Sequence, residues 1–116
     1  MRFYDVGTHS PLVGKTQTNA SAGEVFADSG VLSAPSGFYL AWVVVGITVD
    51  GRFELARRNA ANDADVGPIV PLRCLANMTA EYRIRIKLDP GERLVVRSPA
   101  VITGTVDAFL CAEAMP

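Results

Sequence analysis

Apolar residues along this chain recur mainly at every second position, in short runs separated by clusters of glycine, proline, asparagine and aspartate. That period belongs to strands joined by turns, and almost no stretch carries the helical period. Ala80 to Leu88 alternates cleanly, with Tyr82, Ile84, Ile86 and Leu88 on one face and Glu81, Arg83, Arg85 and Lys87 on the other. Ala100 to Ala112 reads as a last long strand with Ile102, Gly104, Val106, Ala108, Leu110 and Ala112 on one face. Arg93 to Arg97 is a further strand, and Val25-Phe26-Ala27 and Val31-Leu32 are short ones. Asp89-Pro90-Gly91-Glu92 fits a turn with proline second and glycine third, a geometry that suits a step between sheets better than a hairpin. Pro68 and Pro71 bracket Ile69-Val70, as at a sheet edge.

The longest apolar run, Phe38 to Ile47, leads into Asp50-Gly51, the strongest short hairpin signal. A two-residue hairpin there sets Thr48 opposite Phe53 and puts Phe38, Leu40, Trp42, Val44, Phe53 and Leu55 on a core face. Tyr39, Ala41, Val43, Val45 and Ile47 then lie on the opposite face beside Arg52, Glu54 and Arg58. A strand apolar on both faces needs cover on the second, from another layer of the chain or from a neighbouring subunit. In so small a chain the neighbour is the expected cover. Tyr39, Val43, Val45 and Ile47 are therefore expected interface residues, with Arg57 and Arg58 beside them.

Residues 1–24 are polar, contain glycine and lack a sustained period. They read as an N-terminal arm on a β-sandwich of residues 25–116, with Arg2 to Val6 able to add a strand. Phe3 and Tyr4 give the arm apolar anchors that a plain linker lacks, and are expected to dock on a neighbour. The fold class that follows is all-β, a sandwich or barrel of seven or eight strands.

Composition narrows the function. A net charge of −1, with nine arginines against two lysines, gives too few free cations for general nucleic-acid binding and favours arginine in protein interfaces. No run spans a bilayer and no apolar leader follows Arg2, so the chain is expected to be made in the cytoplasm with Cys74 and Cys111 as free thiols. Gly14-Lys15-Thr16 resembles the end of a phosphate-binding loop, but His9 stands where its first glycine belongs. His9 is the one histidine and has no neighbour at metal-ligand spacing. Asn62, Asp63 and Asp65 supply hard oxygens without the glycine and terminal glutamate of a calcium loop. Arg57, Arg58, Arg73, Arg83 and Arg85 are candidates for a basic face. No catalytic motif, cofactor motif or metal set emerges, so the expectation is a non-enzymatic module.

Four stretches together carry a resemblance, the first three being DSGVLSAPSGFY at Asp28 to Tyr39, RRNAAND at Arg57 to Asp63, and LDPGERL at Leu88 to Leu94. The fourth is TGTVDA at Thr103 to Ala108. Over residues 25–113 the chain resembles small jelly-roll decoration, or cement, proteins of tailed bacteriophages. The resemblance implies a jelly-roll-like antiparallel β-sandwich and a structural virion protein, a homo-oligomer (trimer or dimer) bound to the major capsid protein on the capsid exterior, which it strengthens. The competing expectations are a receptor- or glycan-binding jelly-roll head of a fibre or baseplate, and a small-ligand binder or enzyme.

Overall fold

The computed structural model describes residues 12–115. Eight strands carry the fold: β1 (Val13–Ala20), β2 (Val25–Asp28), β3 (Phe38–Ile47), β4 (Gly51–Arg58), β5 (Val70–Cys74), β6 (Met78–Lys87), β7 (Arg93–Arg97) and β8 (Ile102–Ala114). They form two four-stranded antiparallel sheets, ordered β1-β8-β3-β6 and β2-β7-β4-β5. Only β4 and β5 are both consecutive and paired; every other connection steps to the opposite sheet. Eight strands wound this way make a jelly roll, a sandwich of the kind the alternating pattern predicts.

The core lies between the sheets. From the first come Tyr39, Ala41, Val43, Val45 and Ile47 of β3 with Val106, Ala108, Leu110 and Ala112 of β8, all buried. Phe26, Phe53, Leu55, Leu72, Leu94 and Val96 meet them from the second sheet. Phe26 and Phe53 pack edge to face with ring centroids 5.8 Å apart, the arrangement the ring quadrupoles favour. Burying a side chain of this size stabilises by about 1.5–3 kcal/mol before chain entropy is counted.

Here the expected hairpin is overturned. β3 and β4 belong to different sheets, and β3 pairs with β6 and β8 instead. A type I′ loop needs positive φ at both central residues, and neither Asp50 nor Gly51 has it. The segment is a corner: Asp50 Oδ1 accepts from the Ala76 amide at 2.8 Å, and the Thr48 amide donates to the Thr105 carbonyl at 3.1 Å. Losing the hairpin also inverts the assignment of faces on β3. Phe38 and Trp42 point outward, 39% and 38% exposed, while Val43 and Val45 are fully buried. The cover over Tyr39, Val43, Val45 and Ile47 is the second sheet of the same chain, so these four are not interface residues.

The boundary of the arm moves as well. Val13–Ala20, expected to be irregular, is the edge strand β1, paired with β8 from Val13 opposite Leu110 to Ala20 opposite Ile102. A register shift between Thr18 and Ala20 accommodates Asn19, whose φ is 56°. Phe3 and Tyr4, with the possible strand Arg2 to Val6, and His9 lie outside the described residues. Val31-Leu32 forms no strand. It docks against the turn before β7, where the Leu32 amide donates to the Glu92 carbonyl at 2.9 Å. That turn closes with the Glu92 amide on the Asp89 carbonyl and carries the chain between sheets, as its sequence suggests.

Candidate docking face and polar clamp

β6 sets the first surface. Its inner residues Tyr82, Ile84 and Ile86 face Val43, Ala41 and Tyr39, so Arg83, Arg85 and Lys87 must face outward beside Trp42, Leu40 and Phe38. The outer face of this sheet is thereby laid out in columns. β3 contributes Phe38, Leu40, Trp42 and Val44, and β8 contributes Phe109 and Cys111 opposite Val44 and Trp42. The basic column of β6 flanks these on one side. Arg83 lies 5.1 Å from the Trp42 ring centroid and the Lys87 ammonium 5.5 Å from that of Phe38, both within cation–π range. Charge on an edge strand guards against pairing with another sheet, but it leaves this central apolar column uncovered. Arg85 has no ion-pair partner among the described residues.

A polar clamp lies on the other sheet. After β4 the chain folds back across the outer face, where Ala56 and Val95 are buried beneath it. Asp65 holds it there, accepting from Arg97 Nη1 and Nη2 at 2.8 Å each and from Arg58 Nη1 at 2.7 Å. Arg97 Nε also reaches Glu54 at 3.0 Å. The Arg97 and Arg58 guanidiniums hold the Asp65 carboxyl well below the usual carboxylate range, and Asp65 in turn holds Arg97 charged. Arg58 donates to Asn62 Oδ1 and to its carbonyl, while Asn62 Nδ2 and Arg93 Nη1 both reach Asp28 Oδ2, at 3.3 and 3.1 Å. Arg57 pairs with Glu92 at 2.6 Å, and the same Glu92 oxygen accepts from the Asp89 amide.

Asn62, Asp63 and Asp65 are therefore occupied by Arg58, Asn59 and Arg97 and do not converge on a cation site. Among the described residues no three histidine, cysteine, aspartate or glutamate side chains gather as metal ligands. Lys15 lies on β1 and pairs with Glu24 at 2.7 Å rather than entering a phosphate loop. The five arginines share no single face. Arg57 and Arg58 belong to the clamp, Arg83 and Arg85 to the opposite sheet, and Arg73 to the far end of the sandwich. There Arg73 stands opposite Arg52, neither paired with a carboxylate among the described residues, beside an open groove of about 330 Å³ lined by Cys74, Leu75, Val101 and Ile102.

Neither cysteine forms a disulfide. Cys74 is buried on β5, with Met78 O 3.2 Å from its sulfur, and Cys111 is half-buried on the outer face of the first sheet. Burial pushes both thiols up, and the charge of Glu113 adds to the rise at Cys111.

The chain finds no match among protein-family models or curated proteins.

Proposed function

We propose that this protein is a bacteriophage capsid decoration protein, a non-enzymatic jelly roll that binds the outside of the shell as a homo-oligomer and stabilises it. The observation that carries the reading is the convergence of three stretches that resemble that family. Asp28 from the first, Arg58 and Asn62 from the second and Arg93 from the third meet in one bonded cluster, and Arg57 of the second pairs separately with Glu92 of the third. Side chains 35 and 65 positions apart are thereby tied together, which supports reading the three stretches as parts of one scaffold. That scaffold leaves an outward apolar column on one sheet and an arginine-flanked groove at one end, both suited to protein partners.

Purified protein mixed with expanded shells of the phage that encodes it should co-sediment to a fixed saturation and raise the temperature at which the shells disrupt. Binding to tails or to glycans, with none to shells, would favour a fibre or baseplate head and overturn the proposal.

A further inference from the structure

We infer that the outer face of the β1-β8-β3-β6 sheet is the self-association surface, and that its occupant is the same face of a second copy, related by a two-fold axis parallel to β3. The strand register carries the inference. Reading across the sheet, one row runs Arg85–Leu40–Glu113 and the next runs Arg83–Trp42–Cys111. The apolar column of β3 thus stands between a basic column on β6 and the acidic Glu113 on β8, about 10 Å apart. Neither Arg85 nor Glu113 has an ion-pair partner within the described chain.

A closed dimer that buries one face of each copy requires that face to be self-complementary. Two in-plane two-folds through β3 are available. An axis across the strands stacks β6 on β6 and sets arginine against arginine. An axis along β3 leaves each row at its own height and exchanges its ends, so Arg85 of each copy meets Glu113 of the other while Leu40 and Trp42 meet across the centre. Only the second satisfies the charges. It yields an apolar centre with a charged rim, the usual anatomy of an interface.

Size sets the strength. Three facing strands cover roughly 14 by 30 Å, about 420 Å² of sheet per copy before side-chain relief is added. That lies at the small end of specific interfaces, so the dimer should form reversibly in the micromolar range. The inference stands on this face alone: dimers that ignore shells would leave it intact while removing the capsid proposal.

The test is mass by sedimentation equilibrium from about 1 to 200 µM. Wild-type protein should pass from its 12.4 kDa monomer to twice that mass. Arg85→Glu and Glu113→Arg should each stay monomeric where the wild type is dimeric, a loss of at least tenfold in affinity. Mixed in equal amounts they should regain the doubled mass, because each then offers the charge that the other lacks. Circular dichroism melts confirm that the variants fold; if a reversal does not fold, Arg85→Gln and Glu113→Gln carry the same comparison with a smaller loss. A monomer throughout, a trimer, single variants that associate like the wild type, or a mixture that stays monomeric would each overturn the inference.

Discussion

Replacing Asp65 with asparagine removes the charge at the centre of the clamp while keeping its shape. Three charge-assisted bonds are affected, two from Arg97 and one from Arg58. The carboxylate is 33% exposed and its partners 16% and 20%, so water screens each pair. Partly exposed pairs of this kind contribute about 0.5–1 kcal/mol each, the bidentate one at the upper end. Asparagine keeps one acceptor but turns its amide donor toward a guanidinium, so most of that is lost. The expected destabilisation is about 1–2 kcal/mol. With an unfolding entropy near 2.1 cal/mol/K per residue, 116 residues give about 0.24 kcal/mol/K, and Tm should fall by about 4–8 °C at pH 7.

The pH dependence separates charge from packing. Asp65 has a folded pKa below its unfolded value of about 3.9, so its contribution is complete above that value and is lost as pH falls. The difference between variant and wild type should begin to narrow near pH 4 and keep narrowing as pH falls toward the depressed folded pKa of Asp65. Calorimetry of both proteins across that range is the assay. Equal melting at pH 7, or a difference that survives undiminished at pH 2.5, would refute the electrostatic account of the clamp.

Other outcomes follow from the same geometry. Val45→Asp buries an unpaired charge between the sheets and should unfold the protein, costing about 3–5 kcal/mol or more, visible as lost near-ultraviolet circular dichroism. Tyr82→Phe removes a hydroxyl that donates to the Arg73 carbonyl at 2.6 Å and accepts from its amide at 3.0 Å, tying β6 to β5. Both backbone groups can turn to water, so chemical denaturation should show a loss of only about 0.5–1.5 kcal/mol. Denatured protein should yield two alkylatable thiols without reductant. In the native monomer, at concentrations too low for the dimer, Cys111 should react before Cys74, slowly at pH 8 and faster as pH rises, and Glu113→Gln should speed it.

The strands that read well from sequence are those whose own side chains specify a face. β6 alternates without exception, β8 keeps its small residues inward, and the Asp89–Glu92 turn announces a step between sheets. β3 was legible as a strand but not in its pairing, because both its faces are apolar and Asp50-Gly51 offered a nearer partner than the true ones. The corrective signal was present: β6 can bury Tyr82 and Ile84 only by pairing Val43 and Ala41 beside them, which turns Trp42 outward. β1 had no such signal. Its inward Lys15 and Gln17 are polar, and its place depends on the free edge of β8, almost ninety residues away. The clamp was visible as motifs but not as contacts, since Arg57–Glu92 and Arg93–Asp28 pair groups that only the winding of the roll brings together. The apolar column with Arg85 and Glu113 on its flanks was missed because it exists only once β8, β3 and β6 stand side by side.

The central proposal, a protein that coats a shell, is tested most directly by counting its copies in purified virions of the phage that encodes it. Quantitative mass spectrometry against the major capsid protein should find a number comparable with that of the shell subunit, in a fixed ratio to it. A handful of copies per particle, as a fibre or baseplate component would show, or none at all, would contradict the account.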